Sequence, residues 1–174
     1  MNKWNIASLA LMGVFVALSI VFTRLLVLPI GTSLRFTLGN IPILLSGVWF
    51  GPLAGAVIGF ASDFLGTVLF PIQGAYMPIF AVSPILMGVM PWFFKKMLLQ
   101  KISWPRVGIM TLVCYIVSNM FWTTFCITVI NGGGAFWELF IIRAPMALGM
   151  AAVDATVLFI VFKRVGIKPK YLAG

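Results

Sequence analysis

Long apolar runs, broken by Gly, Pro and polar punctuation, predict about six helices over residues 4–28, 38–50, 53–70, 78–99, 107–130 and 136–162. Runs of about 20 residues are what a hydrocarbon layer ~30 Å thick requires of a spanning helix. The second run is short and opens on Gly39-Asn40-Ile41-Pro42, so its outer end is expected to be tilted or irregular. Small residues recur at helical spacing on two of the runs. Ala10, Gly13 and Ala17 share a face of the first, and Gly51, Gly55 and Gly59 climb the third toward Asp63. Such faces let a second helix approach closely. Spacing leaves open whether that helix is internal or belongs to another subunit; for the glycine stripe, internal packing is the favoured reading.

Composition explains why so many runs are apolar. Of the 174 residues, 62% are hydrophobic and 9% charged, too few polar groups to cover a globule in water, so lipid must be the solvent. The expected fold is an all-α membrane protein, a compact bundle of about six transmembrane helices forming one domain over residues 1–174. The stretch from Trp4 to Leu28 behind Lys3 is too long for a signal-peptide core and is expected to stay as the first span. Cys114 and Cys126 fall about 18 Å apart along one expected helix, beyond disulfide reach, and histidine is absent, so neither a disulfide framework nor a zinc site is expected.

The net charge of +9 is mostly a topology signal. Lys3, the group Lys95, Lys96, Lys101 and Arg106, and the group Lys163, Arg164, Lys168 and Lys170 fall on one side of the predicted bundle. By the positive-inside rule that side is the cytoplasm, with both termini there, in a multi-pass protein of the cell membrane. A nucleic-acid partner is a poor explanation of the charge. Arg24, Arg35 and Arg143 are the exceptions, at the outer ends of the first, second and sixth runs. A planar guanidinium grips a carboxylate with paired hydrogen bonds, so three converging from separate helices would make an outward anion site; snorkelling to lipid phosphates is the bland alternative.

Carboxylates are scarcer still. Only Asp63, Glu138 and Asp154 are present, and Asp63 falls inside an apolar run near the expected middle of the layer, where an ionisable group is costly and marks a functional site. Asp154 falls near the expected inner surface, within reach of basic loop residues. Between the third and fourth runs, Phe70-Pro71-Ile72-Gln73-Gly74-Ala75-Tyr76-Met77-Pro78 reads as an outer loop stiffened by two prolines, with Phe70 and Tyr76 offering flat faces for stacking or anchoring at the interface. Asn119 and Trp122 share one face of the fifth run, where Asn119 either meets a ligand or glues two helices. There is no G-x-x-x-x-G-K-[ST] loop, so the chain has no P-loop of its own for ATP. Without histidine and with three carboxylates, acid–base or metal catalysis has few agents, and an enzyme is not expected. A pocket of arginine, aromatic rings and a buried aspartate suits binding of an organic anion.

Several of these residues, in order, resemble the substrate-binding S component of energy-coupling-factor (ECF) vitamin transporters, of the folate type. They are Arg35-Phe36, Gly39-Asn40-Ile41-Pro42, Gly47-Val48-Trp49-Phe50-Gly51-Pro52, Gly55, Gly59, Asp63, Gly66, Phe70-Pro71, Gly74-Ala75-Tyr76 and Pro78, with Asn119-Met120-Phe121-Trp122 and Arg143 later. The chain departs from that pattern at Ile79-Phe80-Ala81-Val82 and at Asn40, where an aromatic residue is more usual.

The resemblance implies capture of a scarce vitamin from outside, most simply folate, followed by association with a membrane T component and two cytoplasmic ATPases. No cofactor is then expected in this chain, and ATP is used by the partner subunits. The family model has the S component topple within the bilayer, and the face carrying Ala10, Gly13 and Ala17 would meet the T component. For a folate ligand, Asp63 would accept from the pterin edge, Tyr76, Trp122 and Phe70 would stack or flank the rings, Asn119 would add a polar contact, and Arg24, Arg35 and Arg143 would meet the tail carboxylates. An S component for pantothenate or a pyrimidine precursor, and a self-sufficient facilitator, are the alternatives.

Overall fold

A computed structural model of the chain describes residues 6–25, 28–30, 34–70, 77–100, 102–130 and 136–166; the side chains of 28–30 and 34–36 lie outside that description. Among the described residues there are eight α-helices. They are α1 (Ile6–Arg24), α2 (Asn40–Phe50), α3 (Pro52–Leu69), α4 (Val82–Phe93), α5 (Lys95–Gln100), α6 (Trp104–Tyr115), α7 (Thr123–Ile130) and α8 (Phe136–Val165). A 3-10 turn, Pro78–Ala81, leads into α4, and a π-helical segment, Ile116–Trp122, joins α6 to α7 in one continuous rod. The strands β1 (Leu28–Ile30) and β2 (Leu34–Phe36) form an antiparallel hairpin with Leu28 opposite Phe36 and Ile30 opposite Leu34.

Among the described residues, four helical rods are long and apolar enough to cross a membrane: Ile6–Arg24, Pro52–Leu69, Trp104–Ile130 and Phe136–Val165. Two shorter apolar helical stretches, Asn40–Phe50 and Pro78–Phe93, pack among them.

Two expected boundaries are corrected, and one pair of strands is new. The first helix ends at Arg24 instead of continuing to residue 28, and the chain turns into the hairpin. Pro29 has no N–H to give a helix and disfavours α geometry in the residue before it. The expected helix 78–99 is broken after Phe93. Pro91 lies in its last turn, the Phe94 N–H closes back on the Pro91 carbonyl at 3.2 Å, and the charged Lys95 and Lys96 begin a separate helix. The hairpin at residues 28–36 was not expected at all, because three-residue strands leave too short an alternation to read.

Glycine organises the centre. Gly51, at φ +99°, makes the sharp turn between α2 and α3, and Pro52 starts the new helix where a missing N–H costs nothing. The stripe then faces α4. A Cβ on Gly47 or Gly55 would collide with the Gly88 carbonyl, and one on Gly59 with the Pro84 carbonyl. This is the internal packing favoured for the stripe. With no water to drive helices together in lipid, such close backbone approach is a principal source of association. The opposite side of α3 is inverted relative to a water-soluble helix: Val57, Phe60 and Phe64 are exposed while Ala54, Gly55, Ile58 and Gly59 are buried.

At the end carrying Lys95, Lys96, Arg106, Lys163 and Arg164, Trp49 Nε1 donates to the Gly166 carbonyl at 3.1 Å and Arg106 Nη1 to the Met97 carbonyl at 3.0 Å. These bonds tie the basic ends together. The opposite ends of α1, α2, α3 and α4 meet the π-helical segment around a cavity.

Candidate functional site

The cavity has a volume of about 190 Å³. Ser19, Thr23 and Arg24 come from α1, Asn40 and Ile43 from α2, Ser62 and Asp63 from α3, and Phe80 with Ser83, Pro84 and Met87 from the 3-10 turn and α4; Asn119 and Thr123 close the far wall. Each element reaches this place for a local reason. At Gly39, the turn before α2, a Cβ would collide with Thr23 Oγ1, so the start of α2 lies directly on α1. Ser19 Oγ donates to the Gly39 carbonyl at 2.8 Å and Thr37 Oγ1 to the Phe22 carbonyl at 2.9 Å, which locks that contact.

Arg24 lies across α3. Its Nη2 donates to Thr67 Oγ1 at 2.7 Å, and Thr67 Oγ1 in turn donates to the Asp63 carbonyl at 2.9 Å. Gly66 makes room for this, since a Cβ there would stand 3.2 Å from Arg24 Nε. A cation and a carboxylate therefore line one cavity on neighbouring helices. Asp63 is six residues from the end of α3, about 9 Å of helix rise, and only about 4 Å from the middle of the helix, on its cavity side.

The π-helical segment has a local role in shaping the site. A π-helical turn is wider than an α-turn and moves each backbone bond from the fourth to the fifth residue along, and such segments gather at functional sites. Here the Ser118 carbonyl, which takes the backbone N–H of Thr123, also accepts from Ser83 Oγ at 3.1 Å and from Thr123 Oγ1 at 3.0 Å. Those two wall hydroxyls are thus occupied by the protein; Asn119, Asp63, Arg24 and Asn40 supply the amide and charged groups of the cavity, with Arg24 also held by Thr67 and Asn40 by Tyr115.

Of the residues singled out in the sequence, Arg24, Asp63 and Asn119 are brought together. Trp122 donates its Nε1 to the Ile79 carbonyl at 3.0 Å and is not among the lining residues. Phe70 caps α3, its N–H bonded to the Gly66 carbonyl at 3.0 Å, and its ring is exposed. Arg143 stands seven residues into α8, half-buried, away from the cavity lining. Arg35 is on β2 with its side chain outside the description, and Tyr76 lies outside the described residues.

Sequence reasoning missed Ser19, Thr23 and Ser83, and singled out Asn40 only as a departure from the family pattern without giving it a role in the site. Asn40 opens a helix next to a glycine, a pattern that reads as a cap, and serines and threonines in apolar helices ordinarily bond to their own backbone. It also misplaced Asp154. This carboxylate is fully buried and accepts from Tyr115 Oη at 2.6 Å, instead of meeting a basic loop residue, because α8 continues about 16 Å past it to Val165. Tyr115 Oη accepts in turn from Asn40 Nδ2 at 2.8 Å, so the carboxylate is linked to the cavity wall.

A helical membrane bundle that closes a polar cavity between the ends of its helices is a small-molecule-binding membrane protein. Residues 3–165 match the family model described as the S component of an ECF-type riboflavin transporter, and the chain belongs to the S components of ECF transporters. It is 34% identical over 169 residues to the folate transporter FolT of Clostridium novyi (strain NT), covering 95% of this chain and 92% of that protein. A crystal structure of FolT bound with folic acid superposes with a TM-score of 0.74 at 28% identity, over 93% of this chain and 98% of that one. ThiT from Listeria monocytogenes shares the fold, with a TM-score of 0.73 at 18% identity over 92% of this chain and 97% of that one.

Proposed function

We propose that this protein is the vitamin-capturing subunit of an ECF transporter and that its vitamin is folate. The observation that carries the choice of vitamin is Asp63 on the cavity wall. A carboxylate accepts hydrogen bonds and donates none when ionised. The amino and ring N–H groups of a pterin offer it adjacent donors, whereas the imide edge of a flavin sets its single N–H between two carbonyl oxygens, which a carboxylate repels. The folate-transporting relative and the folic-acid-bound FolT structure support the same choice over the riboflavin of the family model's description.

A cavity of about 190 Å³ is smaller than the ~300–1,000 Å³ usual for a whole drug-sized ligand, so it suits the ring head of the vitamin, with the glutamate tail directed outward. Arg24 and Asn119 flank the head in this reading; Arg35, Arg143, Phe70, Tyr76 and Trp122 serve the rings and tail from the segments above.

The basic end faces the cytoplasm, both termini with it, and six spans cross the cell membrane as a single binding domain. Ala10, Gly13 and Ala17 support docking of a T component: all three are exposed on α1, and around Gly13 the position of a Cβ is empty of protein to 4 Å. Transport then takes its energy from two partner ATPases using ATP, and the chain itself carries out no catalysis and needs no cofactor.

Titration of the ligand-stripped protein with folic acid and with riboflavin tests the vitamin, and native mass spectrometry of the freshly purified protein names whatever co-purifies. One bound folate is expected; bound riboflavin would overturn the choice of vitamin, and uptake into vesicles holding this chain alone would overturn the dependence on ATPases.

A further inference from the structure

The hydrogen bonds running inward from the cavity have a direction. Asp154 and Tyr115 are buried, at 0% and 1% exposure. Their oxygens stand 2.6 Å apart, the length expected when a hydroxyl donates to a carboxylate. A phenol has one proton, so with that proton committed to Asp154 the Tyr115 oxygen is left to accept, and Asn40 Nδ2 donates to it at 2.8 Å. Pinning the NH2 half of the Asn40 amide inward turns its carbonyl half away from Tyr115. Asn40 is half-buried and lines the cavity, and among the described residues its Oδ1 has no protein donor.

We propose that Asn40 is a specificity-determining residue that presents a fixed, neutral hydrogen-bond acceptor to an N–H group of the ligand, with Tyr115 and Asp154 as positioning residues that set the sense of its amide. An asparagine free to turn over serves ligand donors and acceptors alike and discriminates between them poorly. One held by a buried carboxylate through a tyrosine meets an acceptor on the wrong ligand with an unpaired, repelling oxygen, and discrimination of this kind comes from the mismatch as much as from the match. Asn40 adds to Asp63 a second acceptor from a different helix, without adding a second charge to the cavity.

The inference rests on the folate reading for the choice of probe. Folic acid, 2-deaminofolic acid and 3-methylfolic acid, which each lack one N–H donor site of the pterin, are titrated calorimetrically into the wild type, Asn40→Leu, Tyr115→Phe and the double variant. Asn40→Leu leaves the Tyr115–Asp154 bond in place, so it reads the cavity without exposing a buried charge. It is expected to weaken folic acid ~10-fold, the worth of one hydrogen bond in a desolvated site, while leaving unchanged the affinity of whichever analogue has lost the matching donor. Tyr115→Phe is expected to reduce the same preference and to add nothing in the Asn40→Leu background. Equal losses on folic acid and both analogues, or no loss at all, would overturn the role of Asn40, and additive losses would overturn the positioning role of Tyr115. Should riboflavin bind and folic acid not, the vitamin reading falls separately. The same variants are then compared on riboflavin and N3-methylriboflavin, where loss of the preference for the N–H form in Asn40→Leu supports the inference and its persistence overturns it.

Discussion

Gly55 on α3 and Gly88 on α4 face each other so closely that a Cβ on either would run into the other's backbone carbonyl. The contact joins the two helices whose opposite ends carry Asp63 and Ser83, so it sets the width of the cavity from below.

Gly88→Ala should therefore cost stability as well as binding. Forcing a methyl against a backbone carbonyl gives no flexible side chain room to yield, and overpacking of this kind costs ~1–3 kcal/mol. The melting temperature of the detergent-solubilised protein is expected to fall, and Gly108→Ala, where the Cβ position has nothing within 4 Å, should leave it unchanged. Equal melting temperatures for the two variants would refute the close contact.

Asp63→Asn is expected to weaken folic acid ~10- to 100-fold, since a hydrogen bond to a charged group is worth about 1.5–3 kcal/mol. The empty protein should melt no lower than the wild type, because an amide in that half-buried place carries a smaller desolvation cost than a carboxylate. Calorimetric titration together with a melting curve separates the two effects.

Gly13→Leu should separate binding from transport. The position faces away from the bundle, so folding and vitamin binding are expected to be untouched. Uptake by vesicles containing the T component and both ATPases should fall strongly, because a large side chain prevents close helix approach. Undiminished uptake would remove the α1 face from the partner interface.

Arg143→Ala is expected to weaken folic acid while sparing a pterin without the glutamate tail. Arginine pairs with carboxylates and has no such partner on the bare ring. A double-mutant style comparison of the two ligands on the two proteins measures the coupling; equal losses on both would remove Arg143 from the tail site.

The apolar runs, the glycine stripe and the asymmetric charge were all legible along the chain, because lipid imposes long helices and each helix satisfies its own backbone. Three cavity residues stood out as well: Asp63 and Asn119 because polar groups inside apolar runs are rare and costly, and Arg24 because a positive charge at an outer helix end runs against the orientation bias. The hairpin at Leu28–Phe36 and the break after Phe93 did not, since strands of three residues and a single in-helix proline leave almost no periodic signal.

The amino-acid order by itself determined that this chain lives in lipid, which of its faces are smooth enough for helices to meet, and which few side chains must have a purpose. Only the tertiary structure decided that Asn40, Tyr115 and Asp154, separated by 75 and 39 positions, form one hydrogen-bonded line ending at the cavity. Hydrogen-bond partners across helices depend on the rotation and depth of each rod, and those are set by packing between helices, which no local pattern records.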